Sequence, residues 1–329
     1  MFKQINAKFT PVKDLSEEWL NLRTTGIGGS DAGAILGLNK YASRCSVYLQ
    51  KKGIENNFKG NEATEWGHLL EEPLRKKLKE LYPEIEVETV PGMFTSKDYP
   101  FMNASLDGLV FANKEIEIKG EKVQGLGGLE IKTSSSGEGF SDDEIPDSYF
   151  AQVQHYMAVT NLDWFILIAF FFNTKKGDVY LIKRNEDFIN RLIKEEEDFW
   201  VNYVEKNIIP APTGEVAEKS LIENLEMPSV IELDEDDEVI CEKYNSIKEQ
   251  IKELQKEEDL LKNQILINLY KKNKDLEKSE KTEVYSDSFK ITYTTQKRKS
   301  VDTDSLKKSG LYEQYTKDTE TKVLRITKK

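Results

Sequence analysis

The sequence offers little sulfur chemistry. Its two cysteines, Cys45 and Cys241, stand far apart in 329 residues with no C-x-x-C pairing. This excludes a disulfide framework and a cysteine-held zinc or iron–sulfur site. Long hydrophobic runs are also missing: the longest, Trp164–Phe172, is too short to cross a bilayer and reads as a buried strand. The start, Met1-Phe2-Lys3-Gln4, has no apolar h-region, so a cytoplasmic protein with no membrane association is expected. There is no internal repeat. The glycine-rich Gly26-Ile27-Gly28-Gly29-Ser30-Asp31 lacks the lysine and the spacing of a P-loop or a dinucleotide fingerprint. Neither Gly nor Pro occurs between Pro228 and Gly310, so nothing there interrupts a long helix.

The net charge of −12 argues against non-specific coating of nucleic acid, though not against an enzyme that gathers positive charge in one channel. The charge is uneven: residues 276–329 hold 13 Lys+Arg against 9 Asp+Glu, a net of +4, which leaves −16 on residues 1–275. At this length one large domain plus an appendage is expected, and a hydrophobic content of 38% suffices for a core.

The chemistry centres on Gly127-Gly128-Leu129-Glu130-Ile131-Lys132-Thr133, read with Ser105-Leu106-Asp107-Gly108 upstream. Apolar alternation makes Leu129–Thr133 a buried strand. Glu130 and Lys132 then share one face, and Leu129 and Ile131 the other. Burying such a pair is costly without partners, and Asp107, at the end of a neighbouring strand, completes a three-group cluster. Two carboxylates and an amine so placed can hold Mg²⁺ or Mn²⁺ and stabilise charge on a phosphoryl group. A second E-x-K, Glu115-Ile116-Glu117-Ile118-Lys119, competes for the role. It alternates charge with isoleucine as a one-sided exposed hairpin strand does, so Glu130 is favoured over Glu117.

Along the chain, Ser16 caps a short helix ending near Arg23. Ser30 opens another behind the glycines, where backbone amides and Ser30 could bind an anion or simply cap the helix. A helix through Trp66–Leu81 carries the stripe Leu70, Leu74, Leu78 and Leu81, with a break or new start at Pro73 and Glu71 beside the stripe. Strands follow at Ile85–Val90, Gly92–Thr95 and around Asp107–Phe111. The polar loop Ser134–Asp147 is long enough to gate substrate. Ser148–Thr160 reads as a helix bearing Gln152 and Gln154, whose amides could meet phosphate or solvent. A hairpin of Trp164–Phe172 and Asp178–Lys183 precedes a helix from Glu186 to Asn207. Pro210 to Pro228 looks like a linker. Beyond it Ile240, Tyr244, Ile247, Ile251, Leu254, Leu261 and Ile265 recur at three- and four-residue spacing, interrupted by Glu258. They predict one helix from Glu235 to Lys274, about 60 Å long, with a stripe narrow enough for a coiled coil or for packing against the body. Val284–Thr294 alternates like a strand, and the basic Lys297-Arg298-Lys299 follows.

Taken together, Ile27-Gly28-Gly29-Ser30-Asp31-Ala32, Trp66-Gly67-His68-Leu69-Leu70-Glu71, Ser105-Leu106-Asp107-Gly108, Leu129-Glu130-Ile131-Lys132 and Tyr149-Phe150-Ala151-Gln152-Val153-Gln154-His155-Tyr156-Met157 resemble, in order, the lambda-type exonuclease or YqaJ-type viral recombinase family of the PD-(D/E)xK superfamily. The tail, with Val301-Asp302, Tyr315 and Arg325-Ile326, looks like the longer members. Leu106 stands where the motif's name has proline, which is not a ligand. The resemblance implies an α/β fold: a PD-(D/E)xK core, a central mixed β-sheet flanked by helices, over residues 1–215. A linker at 216–232 and a C-terminal long helix with a β appendage at 233–329 would complete the chain.

By resemblance, Asp107, Glu130, the Ile131 carbonyl and Glu71 would hold one or two Mg²⁺ (or Mn²⁺) ions, with Lys132 orienting or deprotonating the attacking water. Arg23 and Ser30 match positions that bind a 5′-terminal phosphate, Ser105 and Gln152 match further phosphate contacts with Gln154 nearby, and His68 is a candidate extra ligand. The implied activity is a 5′-to-3′ exonuclease on ends of double-stranded DNA. It would leave 3′ single-stranded overhangs for a single-strand annealing protein in phage-type recombination, from a ring-shaped homotrimer. The alternatives are a non-catalytic DNA-end or partner-binding module, and an endonuclease on the same fold.

Overall fold

The computed structural model describes residues 5–54, 62–214, 216–225, 229, 231–272, 281–295, 300–317 and 326. The chain divides into two compact units, residues 1–226 and 227–329.

The first unit opens with β1 (Ala7–Pro11) and α1 (Glu17–Thr24), where Ser16 caps the helix by accepting from the Trp19 amide. Next come β2 (Ile27–Gly28), α2 (Gly29–Ile35), α3 (Arg44–Lys51) and α4 (Glu62–Leu81). Pro73 lies inside α4 without ending it. The carbonyl that a proline at this position frees belongs to Leu69, which is exposed, so water can serve it. The strands β3 (Ile85–Glu88), β4 (Gly92–Ser96), β5 (Met102–Ala104), β6 (Gly108–Ile118) and β7 (Glu121–Ser134) follow. Then come α5 (Asp147–Thr160), the hairpin β8 (Trp164–Phe171) and β9 (Lys176–Lys183), and α6 (Glu186–Phe199). The helix expected to reach Asn207 changes to a π-helical turn over Trp200–Glu205, where Trp200 stacks on Phe101.

Five strands form the central sheet in the order β3-β6-β7-β8-β9. Only β7 and β8 run parallel, so the sheet is mixed. A second sheet has the order β1-β4-β5-β2. The alternation expected for β7 holds. Leu129 and Ile131 pack with Leu74 and Leu78 of α4 on one face of the central sheet. Glu130 faces α5 on the other, where it meets Gln152. The glycines before Glu130 are required by β8: a Cβ on Gly127 would sit 2.4 Å from the Trp164 ring, and one on Gly128 2.1 Å from Phe165.

The expected linker begins inside this unit. Residues Val216–Ile222 form α7, with Leu221 fully buried. The Glu218 carboxylate accepts from the amides of Thr213 and Gly214 and from the hydroxyls of Thr213 and Ser43. The polar loop before α5 is anchored at one aromatic side chain. Phe140 packs among Tyr149, Phe171 and Tyr180 with ring centroids 5.1–5.8 Å away.

The second unit contains α8 (Glu235–Lys272), the antiparallel hairpin β10 (Lys281–Tyr285) and β11 (Lys290–Thr294), α9 (Thr303–Lys308) and α10 (Tyr312–Tyr315). A single strand expected over Val284–Thr294 is thus two half-strands. The turn falls at Ser286–Phe289, where the Ser286 hydroxyl accepts from the Phe289 amide. Lys297-Arg298-Lys299 and Arg325 lie outside the described residues. No helix among the described residues is long and apolar enough to cross a membrane.

Candidate active site

The cleft that matters lies where β7, α4, α5 and the start of α2 meet. It has a volume of about 380 Å³ and is lined by Arg23, Glu71, Asp107, Glu130, Lys132 and Gln152, among others. Asp107 sits just before β6, and its Oδ2 accepts from the Ile131 amide at 2.7 Å. This bond pins the aspartate to the strand that carries Glu130, so the two carboxylates share one cleft although 23 residues separate them.

Glu130 is 3% exposed. Its Oε1 accepts from Lys132 Nζ at 2.6 Å and from Gln152 Nε2 at 2.8 Å. Its Oε2 is buried with no hydrogen-bond partner. An orphaned carboxylate oxygen is costly. Burial pushes the Glu130 carboxyl above the usual carboxylate range, against the pull of Lys132. Asp107 is pushed well above that range, first by burial and then by the Glu130 charge. Burial works against the Lys132 ammonium, but Glu130 and Asp107 outweigh it and hold its pKa above the ordinary lysine value. The Tyr149 ring lies 4.8 Å from Nζ and adds cation–π attraction.

A dry carboxylate oxygen without a donor, beside a second carboxylate that its charge destabilises, is the donor chemistry a hard divalent cation relieves. The residues therefore fit such an ion. Among the described residues, no group of three or more His, Cys, Asp or Glu side chains gathers closely enough to hold a metal; the carboxylates set beside each other are those of Asp107 and Glu130. Glu71 lines the cleft but does not close with the other two. Its Oε2 accepts from Arg75 Nη2 at 2.8 Å, and His68 Nδ1 lies 3.2 Å from its Oε1. Arg75 also donates from Nε to the Asp107 carbonyl at 3.0 Å, tying α4 to the start of β6.

At the other end of the cleft, Arg23 donates to Ser30 Oγ at 2.9 Å and lies 5.0 Å over the Trp19 ring. Ser105 Oγ is within 3.4 Å of Trp19 Nε1 and of the Gly92 carbonyl. Of the two roles expected for the glycines at the start of α2, the helix cap is the one seen. A Cβ on Gly29 would meet the Tyr156 ring at 2.4 Å, and the seven-residue α2 is capped internally, Asp31 Oδ2 accepting from the Gly28 amide. Arg23 and Ser30 both line this end of the cleft. Asp31 is itself buried. That burial acts to raise its pKa, but Lys51 at 2.6 Å and Arg23 hold it below the usual value.

Two expected phosphate contacts are engaged elsewhere. Gln152 Nε2 donates to Glu130 and, at 2.8 Å, to Tyr156 Oη, so both amide hydrogens are used in orienting the carboxylate. Gln154 does not reach the cleft. Two residues further along α5 it points elsewhere, donating to the Lys183 carbonyl and accepting from the Asn185 amide. Glu117 lies on the exposed far part of the β6–β7 hairpin, opposite Lys122. Glu117→Ala is expected to leave any DNA cleavage within about twofold of the parent, as for an ordinary surface position; initial rates on linear duplex would check this. Sequence reading missed Lys51, Arg75 and the role of Tyr149. Arg75 was within reach, being four residues from Glu71 on one helix face; Lys51 carries no such signal.

The YqaJ-like viral recombinase domain matches this chain over residues 18–163. Protein YqaJ of Bacillus subtilis (strain 168) is 32% identical over 259 residues, 76% of this chain and 76% of that protein. Among solved structures, the alkaline exonuclease LHK-Exo of Laribacter hongkongensis is 20% identical with a TM-score of 0.42, covering 59% of this chain and 94% of that one. A phage-related exonuclease of Haemophilus somnus 129PT is 15% identical with a TM-score of 0.38, covering 57% and 97%.

Proposed function

Since this chain belongs to the YqaJ-like viral recombinase family, we propose that it is a divalent-metal-dependent DNA exonuclease acting in recombination. Its substrate would be the end of linear double-stranded DNA. It would digest the 5′-ended strand to mononucleotides and leave a 3′ single-stranded tail for an annealing protein, in the cytoplasm of the cell that holds the DNA. The observation that carries the reading is the buried, unpartnered Glu130 Oε2 beside Asp107, in a cleft that continues to Arg23.

Asp107, Glu130 and the Ile131 carbonyl would hold one or two Mg²⁺ or Mn²⁺ ions, with Glu71 at the margin. When bound, such an ion supplies Lewis-acid stabilisation of charge on the phosphoryl oxygens and lowers the pKa of water. The chain's own groups do the rest. Gln152 fixes the rotamer of Glu130, so one oxygen is turned inward and the other stays with Lys132. Lys132, protonated at neutral pH, acts as a hydrogen-bond donor that orients water and stabilises oxygen charge as the P–O bond breaks. Arg23, backed by Trp19 and aimed at Ser30, offers a fork of donors to a terminal phosphate.

The experiment is digestion of linear duplex with and without Mg²⁺, comparing 5′-phosphate and 5′-hydroxyl ends, with a closed circle alongside. The reading requires Mg²⁺-dependent loss of the 5′-ended strand and an intact circle. A cut circle would make the protein an endonuclease, and cleavage in chelator would remove the metal. Arg23→Gln is expected to lower kcat/KM on 5′-phosphate ends by roughly 10- to 100-fold, the worth of a charge-assisted hydrogen bond, with little change on 5′-hydroxyl ends.

A further inference from the structure

Helix α8 runs for 38 residues, and none of those described is buried. Seven of its apolar residues keep a 3–4 alternation from Ile240 through Tyr244, Ile247, Ile251 and Leu254, across Glu258, to Leu261 and Ile265, while Val239, Leu260, Leu266, Ile267, Leu269 and Tyr270 lie off that line. All seven are at least 43% exposed. This is the a/d seam of a coiled coil, with Ile240, Ile247, Leu254 and Leu261 at d and Tyr244, Ile251, Glu258 and Ile265 at a. We propose that the occupant of this seam is α8 of a second copy, running antiparallel.

Charge placement selects both the partner and its direction. In a parallel pair each a residue faces itself, so Glu258 would meet Glu258 and Asp237 would meet Asp237 across the seam. The flanking positions would set Lys243 against Lys248 of the other copy. The acidic first turn, Glu235, Asp236, Asp237 and Glu238, would lie against its own duplicate. Like charges so placed are destabilising.

Reversing one helix about a centre between Ile251 and Leu254 removes every one of these clashes. Ile251 then meets Leu254, Tyr244 meets Leu261, and Ile240 meets Ile265. Asp236 of one copy faces Lys271 of the other, and the acidic first turn lies along the basic last turn, Lys271 and Lys272. The opposed helix dipoles add to this arrangement. Glu258 falls opposite Ile247. Its carboxylate already bonds Lys262 of its own helix at 2.6 Å, which can carry it to the edge of the seam. A surface whose own two ends are complementary needs no different protein to satisfy it, which favours a second copy over a foreign partner.

The native Cys241 supplies the test. In the full-length chain with the buried Cys45 replaced by serine, a spin label on Cys241 reports the distance between copies. The antiparallel register places the two labels roughly 35 Å apart along the axis, at 1.5 Å per residue. A parallel pair would hold them within about 20 Å, given helix axes 8–10 Å apart. A peak near 35 Å that disappears in Ile247→Lys/Ile251→Lys supports the proposal, provided that tryptophan fluorescence shows the first unit still folded. A label distance below about 20 Å overturns the direction. A monomeric native mass at micromolar concentration, or a 35 Å peak that survives the double substitution, overturns the pairing. The outcome is independent of nuclease activity.

Discussion

Glu130→Gln is expected to abolish DNA cleavage, lowering the rate by at least about 10³-fold, while the protein stays folded and melts no lower than the parent. Both halves follow from the same oxygen. The glutamate keeps Oε2 buried without a donor, and its charge raises the free energy of ionised Asp107 beside it. An amide of the same shape removes that repulsion and can bring an N–H toward the aspartate, so folding gains where metal affinity is lost. Lys132→Ala should be as inactive, but without the stability gain, because it deprives the buried carboxylate of its 2.6 Å partner. Initial rates on 5′-phosphorylated linear duplex and melting curves without metal measure the two halves. A glutamine variant that cuts at the parental rate would remove Glu130 from the chemistry. One that melts well below the parent would mean the carboxylate is structural.

His155→Ala is expected to cost about 3–5 kcal/mol, the usual price of breaking a buried ionic pair, or on the order of 10 °C in melting temperature for a unit of this size. His155 and Glu196 are both fully buried. The ring donates from Nε2 to the Asn103 carbonyl at 2.9 Å, which can only accept, while Nδ1 lies 2.8 Å from the Glu196 carboxylate. One proton therefore resides between ring and carboxylate. Burial acts to lower the His155 pKa, but Glu196 outweighs it and the net shift is upward; burial raises Glu196. Both shifts mean that the folded pair keeps its proton to higher pH than the unfolded chain. Its stabilisation is complete below the unfolded imidazole value of about 6.5 and is lost as pH rises through the raised folded value. The parent's melting temperature should accordingly decline on the alkaline side, and the alanine variant should lack that decline. Asp31, whose pKa is lowered, acts in the opposite sense and matters only toward acid.

Much of this arrangement was legible from the chain alone, for reasons that can be named. A period of two over Leu129–Thr133 fixes which side chains face together, so the Glu130–Lys132 pairing needed no tertiary information. Exposure told the two E-x-K segments apart because alternate charges with isoleucine imply one wet face. What stayed hidden depends on residues distant in sequence. The amides of Gln152 and Gln154 look alike in a sequence, yet two positions on a helix separate a side chain that reaches Glu130 from one that braces Lys183 and Asn185. The glycines at the start of α2 read either as an anion site or as part of a helix cap, and Tyr156 occupies the space a side chain at Gly29 would need. Proline-rich flanks suggested a linker where Leu221 and Glu218 tie a helix into the first unit. In each case a partner distant in sequence decided the role of a locally ambiguous pattern.

Helix α5 carries three obligations along its length: Gln152 to Glu130, His155 to Glu196 and Asn103, and Tyr156 to the gap left by Gly29. A one-residue insertion within it would rotate everything downstream by about 100° and uncouple whichever of them lie beyond the insertion. The preceding loop can instead change length around its glycines, so long as Phe140 keeps its seat. Length variation in relatives should therefore accumulate between residues 135 and 146 and stop abruptly at Pro146.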